Sequence, residues 1–380
     1  MSEIAVFRQN LFRVSETFIT QQAQAMRRYA PLYLGRFRYG DGPVGAQSRV
    51  LGDLWRRAAL ARIGAQMLTR DPAPYLRLLG DRRPALVHAH FGVDGVYALP
   101  LARRLGVPLV TMFHGFDATL STAAFLCSPA WVNYPLFRRT LARHGQLFLC
   151  TSDYIRERVL AMGFPAARTR VHYIGVDCGA IRPRDPQQET PTILHVARLV
   201  EMKGTEYLLR AFALLSPTRP ALRLVIIGDG PLRGRLEVLA RALGIGGQVS
   251  FRGAQPYARV LEAMRAAMML VLPSVYTPTG RVEGLGMVLL EAAATGVPVV
   301  GSRVGGIPEG LVEGETGLLA PERDAEALAA RMRDVLDDPD RRAAMGGRAR
   351  AFVTARFDLH RQTAALEAAY DALIDRGVGP

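Results

Sequence analysis

Short runs of apolar and β-branched residues alternate with segments of helical periodicity along most of the 380 residues. This alternation is typical of parallel α/β proteins, in which a helix follows each strand and packs on the sheet. The predicted strands are 4–7, 86–89, 108–113, 147–151 and 171–174 in the first half, and 192–196, 222–227, 249–251, 268–272 and 298–300 in the second. The sequence therefore predicts two parallel sheets.

A polar stretch with two prolines, residues 179–188, separates the two series of strands and predicts a linker. We therefore expect an N-terminal domain at 1–184 and a C-terminal domain at 185–358. Strands are not predicted beyond Asp324, and an amphipathic run within residues 359–380 predicts a final helix.

The net charge of +14 is distributed unevenly along the chain. Residues 1–186 hold 25 arginines against 12 acidic residues, a net charge of +13, whereas residues 187–380 carry only +1. A genome that prefers arginine codons explains arginine in place of lysine, but it does not explain this asymmetry. A one-sided positive field favours an anionic partner, such as a membrane surface, a lipid diphosphate or nucleic acid.

Three features indicate a cytoplasmic protein without a transmembrane helix. No apolar stretch approaches the roughly 18 residues that span a bilayer, and the N-terminus lacks the basic and apolar regions of a signal peptide. The cysteines, Cys127, Cys150 and Cys178, are odd in number and lack C-x-x-C spacing, so we expect reduced thiols.

The segment 273–296 has the form of a ligand-binding loop in an open α/β sheet. It follows a predicted strand, and residues 283–286 open a helix whose free N–H groups attract anions. Glu283 and Glu291 are at most about 12 Å apart along a helix axis, a span suited to hydroxyls at the two ends of a nucleotide sugar. The alternative is that both are ordinary helix acids. The further residues expected to bind the nucleotide sugar here are Gly284, Leu285, Gly286, Met287 and Val288.

A second group of charges, Arg198 and Lys203, follows the predicted strand 192–196. Two cations at a strand end can stabilise a leaving nucleoside diphosphate without a metal ion. Lys203 is the only lysine of the chain, which suggests that a compact ammonium is needed where a planar guanidinium does not fit. Chance remains the alternative for a rarity in one sequence.

Several motifs occur in order at the ends of the predicted strands. They are IGVD at 174–177, the spacing of Arg198 and Lys203, GDGPL at 228–232, EGLGMVLLEA at 283–292, TGVPVV at 295–300 and VGGIPE at 304–309. In these motifs the chain resembles glycosyltransferase family 4 over most of residues 171–320. The resemblance implies the GT-B fold, with two Rossmann-like domains facing across a cleft and the C-terminal helix packing back toward the N-terminal domain.

The resemblance also implies roles for individual residues in a retaining transfer. Glu291 would bind the nucleotide ribose, Glu283 the hydroxyls of the donor sugar, and Arg198 and Lys203 the diphosphate. His114, which follows the strand 108–113, would reach the donor sugar from the other domain. Taken alone, His114 also fits a buried or turn histidine, and the nearby Asp117 fits a turn cap.

Two segments depart from the family pattern near the sugar and acceptor pockets. Residues 8–17 form a polar, basic loop where the family often has a glycine pair, and the loop 275–282 is longer than usual, as in bacterial exopolysaccharide transferases. Asp338 and Asp340 spell D-x-D, the metal motif of another glycosyltransferase fold, but their position beside Pro339 predicts a helix cap, and we expect no metal.

The resulting hypothesis is a hexosyltransferase without a cofactor. It would use GDP-mannose or a UDP-hexose as donor and a sugar hydroxyl of a glycan, or of a lipid-linked acceptor, as target. A nucleotide-sugar epimerase on the same scaffold is one alternative. A basic nucleic-acid-binding protein is another, but the first half lacks stacking aromatic runs and a recognition-helix pattern, so we expect no nucleic acid.

Residues 49–70 predict one amphipathic helix that can lie on an anionic membrane. Its apolar stripe is Leu51, Leu54, Trp55, Ala58, Ala59 and either Arg62 or Ile63, and the surrounding cations are Arg49, Arg56, Arg57 and Arg70. The alternative is a helix whose stripe packs on its own sheet. The charge of the N-terminal half favours a peripheral position on the inner face of the membrane.

Overall fold

The computed structural model describes residues 1–13, 16–54 and 59–377. The chain forms two compact units: Met1–Gly175 together with Leu359–Pro380, and Val176–Asp358. The first division falls just before the segment 179–188 that the sequence indicates as a linker.

The first unit is built on a seven-stranded sheet in which every neighbouring pair of strands is parallel, in the order β5-β3-β1-β6-β7-β8-β9. Its strands are β1 (Ser2–Phe7), β3 (Tyr29–Gly35), β5 (Gln47–Val50), β6 (Val87–His90), β7 (Leu109–Phe113), β8 (Leu147–Cys150) and β9 (Thr169–Val171), and the short β2 (Asn10–Leu11) pairs separately with β4 (Phe37–Arg38). The first strand thus lies in the middle of the sheet, and the later strands are added on both sides of it.

Helices lie in most connections between the strands of this sheet, whereas residues 36–46, between β3 and β5, contain β4 instead of a helix. The helices are α1 (Thr17–Gln24), α2 (Leu51–Leu54), α3 (Ala59–Thr69), α4 (Ala73–Leu79), α5 (Gly92–Leu105), α6 (Phe116–Thr119), α7 (Thr122–Leu126), α8 (Asn133–His144), α9 (Asp153–Ala161) and the C-terminal α16 (Leu359–Arg376). Glu367 of α16 accepts the backbone N–H groups of Arg27 and Arg28 at 2.8 and 2.7 Å, so this helix is tied to the end of α1.

The second unit contains a six-stranded parallel sheet in the order β12-β11-β10-β13-β14-β15. Its strands are β10 (Thr192–Val196), β11 (Arg223–Ile227), β12 (Val249–Phe251), β13 (Met269–Leu272), β14 (Val299–Ser302) and β15 (Gly317–Ala320), and its helices are α10 (Thr205–Leu215), α11 (Arg233–Ala242), α12 (Tyr257–Ala266), α13 (Met287–Thr295), α14 (Ala325–Leu336) and α15 (Pro339–Phe357). Buried apolar side chains of α10 and α14, including Phe212 and Met332, form one core with the strands.

Most predicted strands are confirmed within two residues, and β10 and β12 match at both ends. The prediction of a strand at 171–174 is wrong for most of its length, because β9 ends at Val171. Sequence patterns missed β3, β5 and β15 and the two short strands β2 and β4.

The prediction of one helix over 49–70 is also wrong. Arg49 and Val50 belong to β5, because they pair with Leu34 and Gly35 of β3. Helical structure occurs as α2 and α3, and the predicted stripe residues Trp55 and Ala58, with Arg56 and Arg57, lie outside the described residues. Within the described part of the chain, no helix is both long and apolar enough to cross a membrane.

Candidate functional site

In the second unit the strand order reverses between β10 and β13, so β10 leads to β11 on one side and β13 leads to β14 on the other. Ligands of open α/β sheets bind at such a switch point, beyond the carboxyl ends of the strands. The predicted cations follow β10, and the segment with Glu283 and Glu291 follows β13. The fold therefore carries both predicted groups to the same crevice-forming edge of one sheet.

A close backbone approach holds the two loops together at Gly204. This residue has φ +63° after the 3₁₀ turn Glu201–Lys203, and a Cβ atom there would lie 1.8 Å from the carbonyl oxygen of Pro273. In addition, the N–H of Val275 donates to the carbonyl of Met202 at 2.8 Å. Glycine is therefore required where the Lys203 turn meets the end of β13.

The turn at Lys203 brings its ammonium to Glu283. Lys203 Nζ lies 2.5 Å from Glu283 Oε2, and both side chains are about one-seventh exposed, at 14%. The hydroxyl of Ser274 lies 3.4 Å from the same oxygen. The structure thus places a cation and a carboxylate, both with limited access to water, at the mouth of the switch point.

Backbone contacts fix Glu283 from the side of the VGGIPE motif. The N–H of Gly306 donates to the carbonyl of Glu283 at 3.1 Å. At Gly305, where φ is +53°, a Cβ atom would lie 2.2 Å from that carbonyl oxygen. The glycine pair therefore lets two segments that are distant in sequence pack against each other beside the candidate site.

Helix α13 begins at Met287, directly after the glycine-containing segment, so its free N–H groups face the switch point. Residues 284–286 are buried, while Met287 and Val288 are half-buried. Burial raises the pKa of Glu291 to about 7, and a hydrogen bond with the Tyr257 hydroxyl opposes this rise. Near neutral pH this carboxyl group therefore ionises less readily than an exposed glutamate does.

Arg198 follows β10 and is exposed. A second arginine, Arg281, is close enough for the charge of Arg198 to act on it. Burial lowers the pKa of Arg281, and the charge of Arg198 lowers it further. The N–H of Thr277 donates to the carbonyl of Arg281 at 2.9 Å, and the N–H of Arg281 donates to the Thr277 hydroxyl at 3.0 Å. The unusual length of the loop 275–282 was the only sequence signal for Arg281, which was not predicted.

In the first unit, His114 follows β7, and Asp117 fixes the turn. The Asp117 carboxylate accepts N–H groups of His114, Gly115 and Gly92 at 3.1, 2.9 and 2.8 Å. Burial raises the pKa of Asp117 to about 6, and these hydrogen bonds oppose the rise. The interpretation of Asp117 as a turn cap is confirmed.

The ring of His114 contacts a second histidine, which sequence reasoning missed. His90 Nδ1 and His114 Nε2 are 3.1 Å apart. Burial lowers the pKa of each histidine well below its usual value. His114 is therefore neutral and acts as a hydrogen-bonding group rather than as a cation.

The polar loop 8–17, which stands where the family often has a glycine pair, is held by ion pairs and hydrogen bonds of its own residues. Arg8 Nη1 donates to Asp94 at 2.7 Å, and its Nε and Nη2 donate to the two oxygens of Glu16 at 2.8 and 2.9 Å. The N–H of Gln9 also donates to Asp94, at 3.3 Å. The charge of Arg8 is thus matched by two carboxylates, Glu16 of the same loop and Asp94 of α5.

The structure therefore brings together Lys203 and Glu283, and it places Arg198 and Glu291 at the same edge of the second sheet. His114 occupies the corresponding strand-end position in the first unit. Asp338, of the D-x-D sequence, is the N-cap of α15 and accepts the N–H of Arg341 at 2.9 Å, as predicted.

Two family profiles match the chain. The profile described as Glycosyltransferase Family 4 matches residues 40–179, and the profile described as Glycosyl transferases group 1 matches residues 180–352. The putative colanic acid biosynthesis glycosyltransferase WcaL of Escherichia coli is 37% identical over 64% of this chain and 59% of its own length, so the chain spans less than two thirds of that relative.

Two mycobacterial relatives are covered more fully. A protein of Mycolicibacterium smegmatis named GDP-mannose-dependent alpha-(1-6)-phosphatidylinositol monomannoside mannosyltransferase is 33% identical over 71% of this chain and 72% of its own. The protein of the same name from Mycobacterium tuberculosis is 30% identical over 89% and 87%.

Solved structures share the fold at low sequence identity. Sucrose-phosphate synthase of Thermosynechococcus elongatus matches with a TM-score of 0.80 and 21% identity over 99% of this chain and 100% of its own. HepE of Anabaena, solved in complex with UDP, matches with a TM-score of 0.76 and 20% identity over 98% and 100%. The predicted GT-B fold class is thereby confirmed.

Proposed function

The chain belongs to the glycosyl transferases group 1 family, and we propose that it transfers a hexose, with retention, from a nucleoside diphosphate sugar to a glycan hydroxyl. The observation that carries this proposal is the pair of Lys203 and Glu283 at the switch point of the second sheet. It supplies a cation for the leaving diphosphate beside a carboxylate that accepts hydrogen bonds from sugar hydroxyls.

In this reaction the bond between the sugar C1 and the diphosphate oxygen breaks, while a bond forms from C1 to the acceptor oxygen on the same face. The leaving diphosphate takes the proton of the acceptor hydroxyl, so no enzyme base is needed, and because the acceptor attacks C1 directly on that face, no enzyme nucleophile is needed. Lys203 and Arg198 stabilise the negative charge that develops on the diphosphate, and the process is proposed to be independent of metal ions. The Glu291 carboxylate accepts hydrogen bonds from the ribose hydroxyls and so holds the ribose.

GDP-mannose is the proposed donor. Two relatives that are covered over 72% and 87% of their length are named as GDP-mannose-dependent. HepE, which was solved with UDP, is only 20% identical and therefore supports the fold alone. A UDP-hexose is the competing donor.

A thermal-shift series with GDP, UDP, ADP and their sugars tests the choice of donor, since a ligand that binds only the folded state raises Tm. Stabilisation by GDP and GDP-mannose supports the proposal, whereas stabilisation by UDP alone shifts it to a UDP-hexose. Incubation of the donor without acceptor must leave the sugar unchanged, because isomerisation would indicate an epimerase. Loss of transfer in EDTA that Mn²⁺ or Mg²⁺ restores would contradict the metal-independent mechanism.

The proposed acceptor is lipid-linked and is reached at an anionic membrane. Ile63 and Gln66 of α3 are buried, so one side of this helix packs on its own unit. Its other side exposes Leu60 and Leu68, at 81% and 74%, and these positions lie about 80° apart around the helix. Arg62 is also exposed, but it lies about 120° from Leu68 and about 160° from Leu60 around the helix, on the flank next to the buried Gln66.

Leu51 and Ile63 of the predicted stripe are buried, as the alternative of packing within the unit predicts. The membrane proposal therefore rests on Leu60 and Leu68, which lie outside that stripe. Two exposed leucines on one side of a helix are suited to the apolar boundary of a lipid headgroup region, and the exposed Arg62 on a flank of α3 adds a cation for anionic lipids. The net charge of +13 in residues 1–186 adds long-range attraction to such a surface. The acceptors in the names of the mycobacterial relatives, phosphatidylinositol mannosides, are also lipids.

Flotation with phosphatidylglycerol vesicles at low and high salt tests membrane binding. The double variant Leu60→Ser/Leu68→Ser is expected to float much less, because each fully buried leucine contributes roughly 1.5 to 3 kcal/mol. Leu214→Ser in the second unit, where the leucine is 51% exposed, is the matched control and should float like wild type. Failure of the wild type to float at low ionic strength, where screening is weakest, would indicate a soluble acceptor.

A further inference from the structure

We propose that His90 is a positioning residue that holds the His114 imidazole in one orientation and one tautomer toward the donor sugar. This inference rests on the proposed function and on the role that the resemblance to the family implies for His114, which is to reach that sugar. It begins from one contact: His90 Nδ1 lies 3.1 Å from His114 Nε2. The two rings are also stacked, with centroids 5.2 Å apart and planes inclined by 24°.

The topology of the sheet explains why these histidines meet. Strands β6 and β7 are parallel neighbours, and His90, the last residue of β6, pairs in register with Met112. His114 is the first residue after β7, so both side chains occur at the carboxyl ends of adjacent strands. Asp117 accepts the N–H of His114 and also that of Gly92, two residues after His90. One carboxylate therefore fixes the backbone at both strand ends, and the orientation of the His114 ring depends on its side-chain contacts.

Only one proton can occupy the contact between the two rings. Burial keeps both imidazoles neutral by lowering their pKa values, and a neutral imidazole has one N–H and one lone pair. If His90 donates, His114 carries its proton on Nδ1; if His114 donates from Nε2, its Nδ1 is an acceptor. His114 Nδ1 is buried and has no hydrogen-bond partner among the described residues. The tautomers of the two rings are therefore coupled: the proton position on His90 goes with whether Nδ1 of His114 donates or accepts.

Packing is the competing explanation for His90, since the cluster is rich in ring contacts. His114 also lies against Phe18 and Phe91, with centroids 5.0 and 4.6 Å away, and His90 stacks on His88 at 4.3 Å. The substitution His90→Phe keeps a ring but removes the hydrogen bond. The substitution His90→Asn loses the ring but keeps an amide that can bond near the position of Nδ1. The two variants separate packing from hydrogen bonding.

The experiment measures kcat and KM for both variants, in wild-type and His114→Ala backgrounds. His90→Phe is expected to lower kcat about three- to tenfold, the effect of one hydrogen bond, without changing KM for the acceptor, and His90→Asn should recover most of this loss. In the His114→Ala background His90→Phe should cause no further loss, because interacting residues are not additive. His144→Phe in α8 is the control outside the cluster. Equal losses in both backgrounds, or full activity of His90→Phe, would overturn the inference.

A second measurement separates this inference from the proposed function. In ¹⁵N-histidine NMR spectra without any donor, His114 should show one tautomer in the wild type and in His90→Asn, and a mixture in His90→Phe. An unchanged His114 tautomer in His90→Phe refutes positioning by His90, whatever the activity. If His114→Ala transfers sugar at the wild-type rate, the role of His114 in the proposed function fails, while the tautomer measurement still decides what His90 does.

Discussion

Replacing Lys203 with alanine separates its two roles, because its ammonium both pairs with Glu283 and faces the proposed diphosphate position. The pair is short, at 2.5 Å, and each side chain is 14% exposed. Loss of one preorganised charge at a developing anion costs about 3 to 4 kcal/mol, which corresponds to a hundredfold to thousandfold lower kcat/KM. Lys203→Ala should therefore lower transfer by at least two orders of magnitude.

The stability of the fold should change much less than the activity. Removing Lys203 leaves the Glu283 carboxylate without its cation, but the Ser274 hydroxyl is 3.4 Å away and water has partial access. We expect a loss of roughly 1 to 2 kcal/mol in the free energy of unfolding, below the 3 to 5 kcal/mol of a fully buried pair. Circular dichroism should show an unchanged fold at the assay temperature.

The assay compares kcat/KM for the donor in wild type, Lys203→Ala and the control Arg210→Ala. Arg210 forms an exposed ion pair with Glu206 at 3.0 Å, and such pairs contribute about 0 to 1 kcal/mol. The control should therefore retain the activity and nearly all of the stability of wild type. A Lys203→Ala enzyme with a kcat/KM near that of wild type would refute the assignment of this lysine to the diphosphate.

Three further predictions concern the same sheet edge. Because the pKa of Glu291 is raised to about 7 and the ionised carboxylate accepts ribose hydroxyls, donor affinity measured by calorimetry should rise as the pH increases from 6 to 8, and Glu291→Gln should remove this dependence. The raised pKa of Glu291 also makes the free energy of unfolding depend on pH. The contribution of the protonated Glu291 to this free energy is complete below its usual pKa of 4.5 and is lost as the pH rises through about 7. Chemical denaturation should therefore show this loss in the wild type and not in Glu291→Gln. Gly204→Ala should destabilise the protein by several kcal/mol and abolish transfer, because its Cβ would lie 1.8 Å from the Pro273 carbonyl, whereas Gly234→Ala, a helical position with no atom within 4 Å, should be neutral or slightly stabilising.

Local patterns were sufficient where a strand carries a run of β-branched or aliphatic residues. The strands β10 and β11, with the sequences TILHV and RLVII, are of this kind. The missed strand β3, with the sequence YAPLYLG, contains a proline and two tyrosines but no β-branched residue. Its place in the sheet comes from parallel pairing with β1 along six residue pairs. Such pairing joins distant segments and leaves no local signal in the sequence.

The segment 49–70 illustrates the same limit for a helix. Its leucines, alanines and arginines recur at helical spacing, but pairing of Arg49 with Leu34 of β3 extends the sheet into its first residues. Whether Leu60 or Ile63 faces the core also depends on the docking angle of α3, which periodicity alone does not fix. The inward face at Ile63 and the exposed Leu60 therefore became distinguishable only in the folded chain.

The candidate site residues that belong to motifs were easier to predict than the residues around them, because a motif after a strand indicates which residues lie at the switch point. Glu283 and Lys203, 80 positions apart, were both identified and are in contact. His90 was missed because a histidine within the apolar strand VHAH has no local feature that distinguishes it from a core residue. Arg281 was missed because its relation to Arg198 depends on how the loop 277–281 folds.

The two sheets share a strand order that starts in the middle, yet their switch points differ in charge balance. In the first unit, Arg8 at the end of β1 is matched by Asp94 and Glu16, and only 6% of this arginine is exposed. In the second, Lys203 has one carboxylate, and Arg198 adds an exposed positive charge at the same edge. A buried charge that is already compensated gains little from a ligand, whereas excess positive charge at a strand end attracts an anion. The same topology therefore yields an internally compensated arginine in one unit and an edge with excess positive charge in the other, which is where a nucleoside diphosphate is proposed to bind.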